Sequence, residues 1–304
     1  SLNTERHGGV RVEPRENDLV IILADISGYT KFMVANQLSA VHGQLCITHL
    51  IETLLVEVDI PLRLQEIEGD AVFLYAENPG DAVQWQDALA QIREKLLRFF
   101  EVFYLAIQTG REATPCQCAI CSNADNLHLK IVVHSGRAVF HQIGGRPQVS
   151  GADVILAHRL LKNSVPDDEY LLMSESAYRD LGREMGREFV PGHEQYDSIG
   201  EVTTYVHFLR DDANKVREAL YSAEPEEFQR RIAGYYDTIL KNHKRALWKH
   251  VVKPIHPANA FARIGFAVSS LLLMPLRTRK FREASQRKLN HRRAEFTRSG
   301  DRSS

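Results

Sequence analysis

Leu19-Val20-Ile21-Ile22-Leu23-Ala24-Asp25-Ile26-Ser27-Gly28-Tyr29-Thr30 is the stretch whose reading decides the fold of this chain. Its first six residues are continuously apolar and rich in β-branched side chains, the pattern of a strand buried on both faces. The run ends abruptly at a carboxylate, Asp25, and after Ile26-Ser27-Gly28 the chain is expected to enter a helix. Taken alone, an Asp before Ser-Gly reads as a helix N-cap. Its alternative is a ligand for a cation.

Outward from this strand, apolar residues at Val41, Leu45, Leu54, Leu55 and Val58 line one side of a helix predicted over 41–58. A second helix is predicted over 81–107, opened by Pro79-Gly80-Asp81, with Leu89, Ile92, Leu96, Phe99 and Phe103 on its inner face. Between the two, residues 61–76 alternate as a pair of strands meeting at a hairpin tip, Glu68-Gly69-Asp70. A further strand pair, 127–133 and 137–142, is expected to turn at Ser135-Gly136. A third helix fits 152–162, and strands fit 170–173 and 202–209. This order is that of an α+β sandwich, with helices on one face of a mostly antiparallel sheet. No internal repeat is seen.

The 304 residues suffice for one sizeable domain with an extension. A hydrophobic content of 44%, a charged content of 25% and a net charge of −1 exclude wholesale disorder and name no partner. We expect a polar segment over 1–18, a domain over 19–212 and a helical extension over 213–304, apolar and then basic. The first segment has no apolar core, so neither a secretory signal nor an N-terminal membrane span is expected there. Four cysteines, three of them crowded together, do not make a disulfide framework, and a reducing cytoplasm is the expectation.

Asp25 and Asp70, at the ends of neighbouring strands, would project at one edge of the sheet and could hold Mg²⁺ or Mn²⁺, because hard cations prefer oxygen ligands. Backbone N–H groups of the turn Ser27-Gly28-Tyr29-Thr30, with the helix dipole behind them, could meet phosphate oxygens. In this order the motifs resemble the class III adenylyl and guanylyl cyclases. Leu23 to Thr30 resembles their first metal-binding motif, and Glu66-Ile67-Glu68-Gly69-Asp70 their second. Val133-His134-Ser135-Gly136 is similar to the strand that follows. Gly151 to Leu160 is similar to the family's catalytic helix, and Gly200 to Val206 to its closing strand.

The resemblance implies a ferredoxin-like sandwich of the cyclase type. It also implies two Mg²⁺ or Mn²⁺ ions per site held by Asp25, Asp70 and the backbone carbonyl of Ile26, a purine nucleoside triphosphate as ligand, and a homodimer whose sites form between two domains. Glu66 and Gln148 fall at the base-reading positions, with Glu66 tilting the choice toward guanine. Arg159 is retained at a phosphate-contacting position. The chain departs from the family at Ile155, where a transition-state Asn is usual, and at Asp197, where a Lys is usual. His158 and Lys162, one helical turn away, are candidates to replace those groups.

Cys116, Cys118 and Cys121, followed by His128, offer soft ligands to Zn²⁺, and the alternative is plain thiols. Cys46 reads as a packed core residue. Residues 260–276 are apolar but too short for a span. Residues 277–298 carry nine basic side chains against two acidic ones. That pattern suits either an anionic membrane surface, which would make the protein peripheral, or docking on a partner protein. Nucleic acid is not expected, since interleaved aromatics are few. Two functions follow from the whole: a cyclase, or a degenerate cyclase-like module that binds nucleotide and metal to regulate a partner.

Overall fold

The apolar run forms a strand longer than its apolar part: in the computed structural model, β1 spans Arg15–Ser27. The structure describes residues 13–35, 40–113, 123–209 and 215. The chain divides into two compact units. One, comprising Ser1–Ser27, Leu54–Phe100 and His128–Arg210, holds the whole described sheet. The other comprises Gly28–Thr53, Glu101–Leu127 and Asp211–Ser304. It holds α1 (Tyr29–Ala35), most of α2 (Ala40–Val56) and the end of α3 (Ala82–Ala113).

In the sheet-bearing unit, β2 (Arg63–Glu68) and β3 (Ala71–Glu77) form the expected hairpin, and Gly69 takes φ +67° at its tip. The start of α3 is capped by Asp81, whose side chain accepts the Gln84 N–H at 2.9 Å. The strands β4 (His128–Ile143), β5 (Arg146–Ser150), β6 (Tyr170–Ser174), β7 (Val190–Tyr196) and β8 (Gly200–Phe208) complete the sheet. Its order is β2-β3-β1-β4-β6-β8-β7, with β5 paired to β4. Every pairing is antiparallel except β4 with β6. That parallel pair is bridged by α4 (Ala152–Leu160), as parallel neighbours need a crossover.

Leu19, Ile21 and Leu23 of β1 join Val132, Phe140, Tyr170 and Leu172 in a core closed by Val154, Ala157 and Leu160 of α4. Val20, Ile22 and Ala24, on the opposite side of the pleat, are no more than 2% exposed. Strand β1 is thus buried on both faces, as the unbroken apolar run requires. The fold class is an α+β sandwich with a mostly antiparallel sheet, as expected.

One expectation about local structure fails. Ser135-Gly136 makes no turn: β4 runs unbroken through it, and the hairpin forms at Gly144-Gly145, with φ of +58° and +78°. Two successive residues at positive φ match the twist of a tight hairpin, and glycine reaches that region without strain. Gly136 has a different task. A Cβ there would lie 2.3 Å from Asp153 Oδ2, so its bare backbone admits a side chain from α4. Strand β7 and the short helix α5 (Glu175–Asp180) were not anticipated. The cysteine cluster and the extension over 213–304, apart from Lys215, lie outside the described residues. No described helix is long and apolar enough to cross a membrane.

Candidate functional site

The register of β1 builds the site. Asp25 stands opposite Ala71 of β3 on one side and Lys130 of β4 on the other, so Asp70, the last residue of the hairpin turn, is brought beside it. The Lys130 ammonium lies 2.9 Å from Asp25 Oδ2, with the two side chains 20% and 19% exposed. The Asp70 carboxyl is pushed up to about 6, first by burial and then by the negative charge of Asp25, while Lys130 pulls it partly back. Burial, the largest single influence, would lower the pKa of Lys130, but its bond to Asp25 and the negative charges around it together outweigh that and the net direction is up. Tyr170 is the register neighbour of Lys130, and its hydroxyl meets the amide of Asn163 at 2.8 Å, just beyond α4.

Two carboxylates with one ammonium between them leave a negative charge uncompensated in a half-buried place. This donor set fits a divalent, oxygen-seeking cation such as Mg²⁺ or Mn²⁺. Among the described residues no three His, Cys, Asp or Glu side chains converge on one point, so phosphate or water oxygens would have to complete the shell. Ile26 follows Asp25 in β1 with its side chain 1% exposed, and Ser27, 8% exposed, closes the strand. In the other unit, Gly28 takes φ +86°, where a Cβ would lie 2.5 Å from the Asn126 carbonyl oxygen, so the turn requires glycine. Tyr29 and Thr30 then open α1.

Glu66 is exposed on β2 as the register partner of Phe73, whose ring takes the edge of His158 at 5.2 Å. Gln148 lies on β5, and the two strands touch where Gln65 donates to the Pro147 carbonyl at 3.3 Å. The two residues expected to read a base therefore sit on adjoining strands. Arg159 and Lys162 are exposed, and Ile155 of α4 is 57% exposed on the same helical face. No ion pair or hydrogen bond among the described residues joins Arg159 or Lys162 to the aspartate pair. Asp197 is exposed in the β7–β8 turn. His128 is bonded through Nδ1 to Glu169, and its proposed cysteine partners lie outside the described residues.

Sequence reasoning missed Lys130, although a signal was there: it is the lone Lys in an otherwise apolar strand, Leu129-Lys130-Ile131-Val132-Val133.

A family profile described as "Protein of unknown function (DUF2652)" matches residues 47–170. The chain is 31% identical over 144 residues to "Uncharacterized protein Rv2561/Rv2562" of Mycobacterium tuberculosis. That match covers 47% of this chain and 65% of the relative's length. Among solved structures, a bacterial light-regulated adenylyl cyclase superposes with a TM-score of 0.50 at 13% identity, over 75% of this chain and 58% of that one. The adenylyl cyclase CyaB from P. aeruginosa gives 0.47 at 14% identity, over 64% of this chain and 96% of that one. With its sheet order and its motifs in sequence, the chain has the fold of a class III nucleotidyl cyclase domain, a likeness of architecture.

Proposed function

We propose that this protein binds a purine nucleoside triphosphate together with Mg²⁺ or Mn²⁺ at Asp25 and Asp70. We further propose that, as a pair of domains, it converts the nucleotide slowly to a 3′,5′-cyclic nucleotide and pyrophosphate. The observation that carries the reading is the crowded aspartate pair itself: burial first, and the neighbouring charge of Asp25 second, hold Asp70 up to about 6, and Lys130 is paired with Asp25. Such crowding is costly in a purely structural role and useful where a divalent ion will sit. When bound, the ions would activate the ribose 3′-hydroxyl and neutralise the phosphates.

The protein's own groups then divide the work. Asp25, Asp70 and the Ile26 carbonyl supply hard oxygen ligands, and Lys130 offers its ammonium to a phosphate oxygen once Asp25 is otherwise engaged. Backbone N–H groups of Ser27 to Thr30 hold further phosphate oxygens. Glu66 accepts bonds from the N1–H and 2-amino groups of guanine, with Gln148 beside it. Arg159, with Lys162 just beyond α4, serves the site of a second copy, since both side chains are exposed, while His158 packs against Phe73 of its own sheet.

Ile155 offers no donor to the charge that develops on the phosphoryl group, and Asp197 brings a charge of the wrong sign. Each missing stabiliser commonly costs ~10²–10³ in rate, so turnover is expected to be slow. The test is calorimetric titration of GTP and ATP in Mn²⁺, followed by product analysis. Binding with GTP favoured is expected, and Asp25→Asn with Asp70→Asn should abolish it. Binding without any product would leave the regulatory module in place of the enzyme, and no binding under any metal would sink both.

A further inference from the structure

We propose that His134 is the positioning residue of α4: its imidazole ties Asp153, in the first turn of that helix, to Ser174, the N-cap of α5, and so fixes where α4 lies on β4. The proposal rests on the reading above only in that α4 carries Arg159 and His158. His134 is 5% exposed and Ser174 2%. His134 Nε2 lies 3.2 Å from Asp153 Oδ1, and Nδ1 lies 2.8 Å from Ser174 Oγ. The other oxygen of Asp153 accepts the backbone N–H of Arg137 at 2.6 Å. Ser174 Oγ also accepts the Ala177 N–H at 3.3 Å, and the Ser176 hydroxyl donates to the Ser135 carbonyl at 2.6 Å.

A carboxylate can only accept, so the proton of the neutral ring belongs on Nε2, which approaches Asp153 Oδ1 at 3.2 Å but out of line for a full hydrogen bond, and the Nδ1 lone pair receives the Ser174 hydroxyl. One side chain of α4 thereby accepts a hydrogen bond from the backbone of β4 and stands against the imidazole on the face of the same strand. The approach is open because residue 136 is glycine, where a Cβ would overlap the carboxylate. The remaining hold of α4 on the sheet through Val154, Ala157 and Leu160 is apolar and non-directional, and resists sliding poorly. His134 and Lys130 lie on the same side of β4, so the clasp references α4 to the strand that bears the candidate site's lysine. The trio Ser174, His134 and Asp153 has the composition of a hydrolytic triad. A serine 2% exposed and engaged in a helix cap has no access to substrate, which leaves the positional role.

The test uses the full-length chain. In ¹⁵N-labelled protein the His134 ring should show the Nε2–H tautomer. In Asp153→Asn the new amide donates to Nε2, and the ring should switch to Nδ1–H with Ser174 Oγ as acceptor. Amide hydrogen exchange over α4 should then stay within about twofold of wild type in Asp153→Asn but rise at least about tenfold in Asp153→Ala and His134→Ala. In Mn·GTP binding, His134→Ala should weaken affinity alone but add nothing to Arg159→Ala, because one acts through the other. Mn²⁺ binding alone should be unchanged. Additive losses, an unswitched tautomer, or α4 exchange that ignores Asp153→Ala would overturn the proposal. Failure of wild type to bind nucleotide would end the functional reading instead, with the tautomer and exchange still deciding the positional one.

Discussion

Replacing Asp70 with Asn should make the metal-free protein more stable at neutral pH while removing its response to metal. In the fold the Asp70 carboxyl keeps its proton up to about 6. In the unfolded chain a carboxyl of this kind keeps it only to about 4. A group whose pKa is raised on folding stabilises the fold fully below the unfolded value, and that contribution is lost as pH rises through the folded one. Above about pH 6 the ionised Asp70 is therefore a cost to the fold, arising from its half-burial and the charge of Asp25. The full difference corresponds to about 3 kcal/mol, but solvent reaches the carboxylate and screening reduces this to about 1–1.5 kcal/mol. Asn has the same shape and no charge. With a chelator at pH 7.5, Asp70→Asn should melt about 2–5 °C above wild type by circular dichroism, and the gap should close toward pH 4. With Mn²⁺ in excess the order should reverse, because only the wild type gains stability by mass action. A variant that melts below wild type in chelator at pH 7.5, or a gap that persists unchanged at pH 4, would refute the reasoning.

Two further outcomes are expected. The His128 imidazole is held above its ordinary range chiefly by its bond to Glu169, against the opposing effect of burial. That pair stabilises the fold fully below about pH 6.5 and fades as pH rises through the raised folded value, so Glu169→Gln should lower the melting temperature at pH 6 and leave it unchanged at pH 9. Gly136→Ala would place a Cβ 2.3 Å from Asp153 Oδ2. The substitution should cost about 1–3 kcal/mol in urea unfolding, with only part recovered in Asp153→Ala, because the Asp153 Cβ would still lie 2.7 Å from the new methyl.

The parts of this fold that were legible are those where one physical demand dominates. Leu19 to Ala24 can only be a strand covered on both sides, and Pro79-Gly80-Asp81 can only open a helix, with Asp81 as its cap. The hairpin at Gly69-Asp70 was legible for the same reason, its glycine reaching a φ that other residues avoid. Ser135-Gly136 misled because turn chemistry and close approach call for the same residue: a glycine can mark a bend or an open space, and only the arrival of Asp153 from α4 tells which. Strand β7 stayed hidden because its sequence, Val190-Pro191-Gly192-His193-Glu194-Gln195-Tyr196, lacks apolar alternation. As the edge of the sheet it needs none, and its proline is tolerated there. At the candidate site, Asp25 and Asp70 were singled out as carboxylates at strand ends. Lys130 and the partners of His134 were not, because what they contact is set by registers of β4 against β1 and β6 that no local pattern encodes.

In the proposed reading, what would separate binding from turnover is where charge is compensated. On the strand side, Asp25, Asp70 and Lys130 form a set short of positive charge, two carboxylates against one ammonium, which would attract divalent cations whose charge in turn would offset that of a triphosphate. That side is complete within one chain. On the helix side, α4 presents Ile155 and Arg159 to solvent and exposed Lys162 follows just beyond its end, so only two of the three exposed positions carry charge that could meet a phosphate. An apolar Ile155 does not impede docking of a second copy, since a 57% exposed aliphatic side chain gains from being covered. It does remove a donor from the moment at which charge moves, and a donor matters for rate only if it is already in place then. In the proposed reading rate would therefore depend on where Arg159 is placed, and the proposed clasp of Asp153, His134 and Ser174 would, with the Phe73–His158 ring contact, set the direction of α4 on the sheet.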